Sequence, residues 1–255
     1  MITQYLRPKT LQEAFELLSH ADVHPLGGGT VLSRPTGESF TVVDLQALGL
    51  DHLSKSGDKL EIGATTSLQS LLESAYIPEA LKTALLLETP LNLRNLATVA
   101  GTLITCDGRS PFAVVMLALD AKLTFMPGNE QITLGNFLPI RIRVEGVSPI
   151  SSIPPHKLIT KIEIPLNTRL AFETVARTPA DKPIVCASLA QWPSGRNRLA
   201  LGGYGHSPAL AVDGNAPNDL EASARNAFAE AGDAWASKEY RQEIAAVLAK
   251  RCLEK

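Results

Sequence analysis

Apolar and polar positions recur along this chain at more than one period. Leu11, Ala14, Phe15 and Leu18 form a stripe at helical spacing. Thr10 and Glu13 make a capping-box pattern that predicts where that helix starts. The short apolar stretch Val23 to Leu26 runs into three glycines, and Thr41 to Leu48 opens on β-branched residues and predicts a buried strand. Asp58 to Gly63 alternates and predicts a strand. Thr66 with Gln69 predicts a helix start running through Leu72, and Pro78 suits the first turn of a helix carrying Leu81, Leu85 and Leu86. Thr98 to Thr105 reads as β-like, interrupted by Gly101, before a helix over Ala113 to Leu119 and a strand over Lys122 to Met126. Residues 139 to 157 hold Pro139, Pro149, Pro154 and Pro155 and predict a loop or lobe boundary. Strands are expected over Leu158 to Pro165, near Pro183 to Gln191 and near Arg198 to Gly202. Two helices follow, the last over Glu239 to Leu253 with Ile244, Val247 and Leu248 on one face. This mixture predicts an α+β protein of several lobes.

Composition narrows the function classes. With 45% hydrophobic and 20% charged residues among 255, the chain has the make-up of a soluble globular protein. A net charge of -2 gives no bulk attraction to nucleic acid or anionic lipid. Cys106, Cys186 and Cys252 are far apart and include no Cys-x-x-Cys, which argues against disulfides, zinc and iron–sulfur ligation. No apolar run approaches the roughly 18 residues of a membrane helix, and the first residues lack a signal-peptide pattern. A cytoplasmic location is expected. His20, His24, His52, His156 and His206 are scattered, with no metal-ligand spacing.

The candidate chemistry lies in HPLGGGTVLSR, residues 24 to 34. Gly27, Gly28 and Gly29 can turn successive N–H groups into one concavity, a nest for an anion. Thr30 adds a hydroxyl. A plain turn is the other reading. No Gly-Lys-Ser/Thr follows, so this is not a P-loop. Leu32 stands where a Gly-x-Gly-x-x-Gly motif needs its last glycine.

A second segment, RNLATVAGTLITCDGRSPF from Arg94 to Phe112, makes the pattern specific. With Gly27 to Leu32 it resembles the FAD-binding medium subunit of molybdenum hydroxylases, the family of xanthine dehydrogenase and aerobic carbon monoxide dehydrogenase. Members carry a first loop A-G-G-G/H-T/S-x-L and a second loop R-N-x-A-T-I-G-G-N-L-x-x-A-D-P-x-S-D. Here Arg94-Asn95, Ala97 to Leu103, Asp107 and Ser110 match the second loop. Weaker matches are Tyr5 to Pro8, Val43 to Leu45, Ile62 to Thr66, Leu158 to Pro165, Leu201 to Gly203 and Tyr240-Arg241.

The resemblance implies an FAD-binding fold of the PCMH (vanillyl-alcohol oxidase-like) type. Its lobes would be a small N-terminal one (1–50), a larger middle one (51–166) and a C-terminal one like that of carbon monoxide dehydrogenase flavoproteins (167–255). FAD would lie between the first two. The implied cofactor residues are Leu26, Gly27, Gly28, Gly29, Thr30, Val31 and Leu32 in the first loop, and Thr98, Val99, Ala100, Gly101, Thr102, Thr105 and Asp107 in the second, with Ile159 and Lys182. No catalytic acid or base and no metal ligand is assigned. The implied role is electron transfer beside a [2Fe-2S] subunit and a molybdopterin-binding large subunit in a hetero-oligomer. The sequence departs from the family at Ala100 and Thr102, where members have Gly and Asn, and at Pro111, where they have Asp. Ala100 would cost about 1–2 kcal/mol if that position needs positive φ. These departures motivate the alternative of a non-redox structural or assembly subunit with a degenerate cleft.

Overall fold

The structure, a computed structural model, describes residues 1–20, 22–35, 37–140, 157–215 and 219–255. Three sheets follow one another along the chain. The first is parallel, in the order β1 (Ile2–Leu6), β3 (Phe40–Asp44), β2 (Val23–Leu26). Side chains of a strand alternate between faces. Val43 meets Ala14 of helix α1 (Leu11–Leu17) and Leu18 just after it on one face of β3, and Val42 meets Leu32 on the other. Thr10 caps α1 as expected, accepting from the Glu13 N–H, although the Glu13 carboxylate returns to the N–H of Lys9. The strand expected to run to Leu48 stops at Asp44. The Asp44 carboxylate accepts from the Gln46 N–H and turns the chain into a 3-10 helix over Gln46–Leu48.

His24 on β2 is half-buried, its ring edge-on to Phe40. Burial lowers its pKa below the ordinary value, against Asp22 and Glu38, which raise it. The unfolded chain therefore binds more protons than the folded one as pH falls below about 6.5. Stability is retained above that pH and declines below it. Melting temperatures measured between about pH 5 and 7.5 should fall toward acid, and less steeply in a His24→Gln variant.

The second sheet is antiparallel, in the order β4 (Leu53–Ser56), β5 (Lys59–Gly63), β8 (Leu158–Pro165), β6 (Lys122–Met126), β7 (Glu130–Thr133). Six helices accompany it among the described residues: α2 (Leu68–Leu72), α3 (Glu79–Glu88), α4 (Leu91–Leu96), α5 (Val99–Thr105), α6 (Pro111–Ala118) and α7 (Leu134–Ile140). Ser67, not Thr66, caps α2, accepting from the Ser70 N–H. The expected strand over Thr98 to Thr105 is instead helix α5. Thr98 caps it through the Gly101 N–H, and packing of Val99, Ala100 and Leu103 in the core outweighs the β preference of its Thr, Val and Ile residues. Every residue of α6 is buried. Pro139 lies within α7, and most of the expected 139–157 loop falls outside the described residues.

The third sheet is an antiparallel meander of β9 (Arg169–Val175), β10 (Val185–Gln191), β11 (Arg196–Gly202) and β12 (Ala209–Asn215), with helices α8 (Leu220–Ala227) and α9 (Lys238–Glu254). On one face of β10 and β11, Cys186, Ala190 and Ala200 join the core that contains α6. On the other, Ala187, Leu189 and Leu199 meet Ala245, Leu248 and Ala249 of α9. Val247 is exposed, outside that packed face.

One buried cation organises the loop between α8 and α9. Arg241 of α9, 0% exposed, donates to the carbonyls of Ile184 (3.2 Å), Ala231 (2.7 Å) and Ala236 (3.2 Å). It also donates to both oxygens of Asp233, at 2.8 and 2.9 Å. Trp235 on that loop is 48% exposed. Its ring lies between the guanidinium groups of Arg109 (4.4 Å) and Arg177 (4.3 Å), so it links the loop before α6 to the segment after β9.

Candidate functional site

The glycine loop leaves the C-terminal end of β2. Of its three glycines only Gly29 has positive φ, at 69°, and makes the turn. Gly27 and Gly28 serve close approach. A Cβ on Gly28 would lie 1.6 Å from the Leu96 carbonyl oxygen, and one on Gly27 would lie 2.8 Å from Thr98 Oγ1. The loop therefore abuts the segment that leads into α5. Ser33 and Arg34 donate their N–H groups to the carbonyls of Gly29 and Val31. The six N–H groups of Gly27, Gly28, Gly29, Thr30, Val31 and Leu32 find no acceptor among the described residues. Successive unpaired amides in a turn are a ready anion site.

The facing segment is built differently. Arg94 is buried and fastens α4, with Nε on Gln69 Oε1 (3.1 Å) and Nη1 on the Thr89 carbonyl (2.7 Å). The leading amides of α5 are already engaged. Val99 donates to Thr66 O (2.9 Å), Ala100 to Ala64 O (3.2 Å) and Gly101 to Thr98 Oγ1 (3.2 Å). Ala100 sits in helical backbone, and the positive-φ non-glycine residues among those described are Asp120 and Asn129. The strain considered for an alanine at this position does not arise. The hydroxyls of Thr102 and Thr105 donate back along the helix to the carbonyls of Thr98 and Gly101. Pro111 stands at the first position of α6, where its missing N–H does no harm.

Two adjoining cavities lie here. The smaller, about 80 Å³, is lined by Gly27 to Leu32 with Thr98, Gly101 and Thr105. The larger, about 920 Å³, shares Thr30, Val31 and Thr105 and extends past Arg34, Leu68, Leu93, Thr102 and Cys106 to Glu88, Asp107 and Lys182. Its size falls in the range of small-molecule and cofactor sites, roughly 300–1,000 Å³. Asp107 accepts from the Arg109 N–H at 2.9 Å and pairs with Lys182 at 3.3 Å. Burial raises the Glu88 carboxyl above the usual range, while the Phe112 N–H and Ser110 hydroxyl act in the other direction.

Of the residues read from the sequence, the cavities bring together Gly27 to Leu32, Thr98, Gly101, Thr102, Thr105, Asp107 and Lys182. Four are not on either wall. Leu26 packs beside Leu32 and Val42. Val99, Ala100 and Ile159 belong to the core that contains α6. Glu88, Arg34 and Cys106 line the larger cavity and were not legible as site residues. Glu88 ends a helix, and only its contacts with Ser110 and Phe112 place it in this wall.

These features fit a dinucleotide cofactor. A cavity of sufficient size adjoins a run of unpaired amides suited to a diphosphate. Among the described residues there is no group of His, Cys, Asp and Glu able to hold a metal, and no helix long and apolar enough to cross a membrane.

Comparison with known proteins gives the same direction. Residues 1–167 match the family model described as the FAD binding domain in molybdopterin dehydrogenase. The uncharacterized protein YgfM of Escherichia coli K12 is 30% identical over 97% of this chain and 94% of its own. The 6-hydroxypseudooxynicotine dehydrogenase complex subunit alpha of Paenarthrobacter nicotinovorans is 28% identical over 71% of this chain and 64% of its own. Among solved structures, a chain of the Cu,Mo-CO dehydrogenase superposes with a TM-score of 0.79 at 23% identity, covering 100% of this chain and 97% of that one. That likeness shows the fold.

Proposed function

This chain belongs to the family of FAD-binding domains of molybdopterin dehydrogenases, and from that premise we propose that it is the electron-transfer subunit of a molybdenum hydroxylase complex. FAD, the family's cofactor, would supply the redox chemistry when bound, namely electron transfer between iron–sulfur centres and an external acceptor. The chain's own residues bind and orient it. The observation that carries this reading is the run of six amides without acceptors among the described residues, Gly27 to Leu32, lining a cavity that adjoins a larger one. These amides would hold the diphosphate. Thr98, Gly101, Thr102 and Thr105 would form the facing wall, and Asp107 with Lys182 the far end. We take the lobes as residues 1–50, 51–166 and 167–255, with the cofactor between the first two.

No metal or cluster ligands are found among the described residues. The [2Fe-2S] and molybdopterin functions would then reside on partner subunits of a cytoplasmic hetero-oligomer, and the large subunit would choose the substrate. A purified, flavin-stripped protein titrated with FAD tests the reading. At a hundredfold excess over Kd, FAD should stabilise the fold by about 2.7 kcal/mol, a rise in melting temperature of roughly 5–10 °C, and the complex should be yellow. A folded protein that stays colourless with no thermal shift would favour the assembly-subunit alternative. The helical backbone at Ala100 supports the FAD reading, because the strain an alanine would meet at positive φ does not arise there.

A further inference from the structure

Two carboxylates stand in the wall of the larger cavity, Asp107 and Glu88. Both oxygens of Asp107 are engaged, Oδ1 by the Arg109 N–H and Oδ2 by Lys182. Glu88 is different. Its Oε2 accepts from the Ser110 hydroxyl at 2.8 Å and from the Phe112 N–H at 3.0 Å, which fixes the carboxylate at the N-terminal end of α6. Its Oε1 meets no donor among the described residues. Nor is that atom shut away, since the buried, unpartnered side-chain polar atoms among the described residues are Thr65 Oγ1 and Arg198 Nε. A rigidly held acceptor oxygen therefore opens on the cavity. Glu88 is absent from the lining of the smaller cavity, where the unpaired amides lie. The site thus separates amide donors suited to an anion from a carboxylate that an anion would avoid.

We infer that Glu88 is a cofactor-binding residue of this chain, its Oε1 accepting a hydrogen bond from an O–H or N–H of the flavin nucleotide, away from the diphosphate. The inference rests on the FAD reading of the cavity. A ligand lacking the donor leaves the acceptor unmatched.

Glu88→Gln separates this role from a structural one. The wall position faces two donors, so the amide oxygen takes it and α6 stays capped, while the NH2 group replaces Oε1 in the cavity. We expect the variant to melt within a few degrees of wild type, to bind FAD at least tenfold more weakly in fluorescence titration, and to shift the visible bands of the bound flavin. An FAD Kd within twofold of wild type, with unshifted bands, overturns the inference and leaves the FAD reading standing. Folded wild-type protein that binds no FAD overturns both. Glu88→Asp covers the case in which the amide variant does not fold, because it keeps the charge but withdraws the carboxylate by one methylene. Tenfold weaker binding there supports the role, and parity with wild type overturns it.

Discussion

A Gly28→Ala protein should bind FAD at least about 100-fold more weakly than wild type and melt roughly 6–12 °C lower. The added methyl would sit 1.6 Å from the Leu96 carbonyl oxygen and 2.5 Å from its carbon. Both are backbone atoms, so no side chain can swing aside. Either the glycine loop or the end of α4 must move by most of an atomic diameter. Overpacking of this kind costs about 3 kcal/mol or more when backbone has to shift. The same displacement pulls the amides of Gly27 to Leu32 away from the wall formed by Thr98 and Gly101, so preorganisation of the site is lost with stability. Gly29→Ala provides the contrast. Its φ of 69° and a neighbour at 3.1 Å, the flexible Ser33 hydroxyl, predict about 1–2 kcal/mol and a smaller loss of affinity. Differential scanning fluorimetry with and without FAD would read both. Wild-type behaviour of Gly28→Ala would mean that the two loops do not abut.

Arg241→Ala should be strongly destabilising. The side chain removed is fully buried and serves three carbonyls and one carboxylate. Deleting one partner of a buried pair costs about 3–5 kcal/mol, because the remaining groups stay desolvated and unmatched. A fall in melting temperature of more than about 8 °C is expected. Arg241→Lys should recover less than half of it, since an ammonium lacks the planar fork that reaches Asp233 and the carbonyls together. Burial pushes the Asp233 carboxyl up, but Arg241 and the N–H groups of Trp235 and Ala236 hold it below the usual range. The contribution of this clamp is therefore present above about pH 4 and lost as pH falls further. The clamp also holds the loop that carries Trp235, so Trp fluorescence should change in Arg241→Ala under conditions where the rest of the chain remains folded. An unchanged melt and spectrum would show the clamp to be dispensable.

How far the sequence revealed these features depended on the range of the interaction. Local signals read true at Thr10, at the apolar run of α6 and at β8, where period and capping are set by near neighbours. They failed at Thr98 to Thr105, where residues with β preference form a helix because Thr98 caps it and the Ala64 and Thr66 carbonyls receive its first amides. Strands β9 and β12 passed unseen as well. The first loop was legible because glycine is informative where backbones meet. Val99, Ala100 and Ile159 matched the motif but lie in the core, since a motif records neighbours in sequence and not which of them reaches a cavity. Glu88 had no signal because its role depends on contacts 22 and 24 residues away along the chain.

The engaged amides of α5 also bear on how this site tolerates evolutionary change. The N–H groups of Val99 and Ala100 are taken by the carbonyls of Thr66 and Ala64, so main-chain bonds hold this end of α5 in place. Ala100 turns its methyl into the core and alters nothing that a ligand would feel there. Gly28, by contrast, is constrained by the Leu96 carbonyl, a main-chain group that no second substitution removes. A change at Ala100 is therefore a poor marker for loss of the site, and a change at Gly28 a much better one.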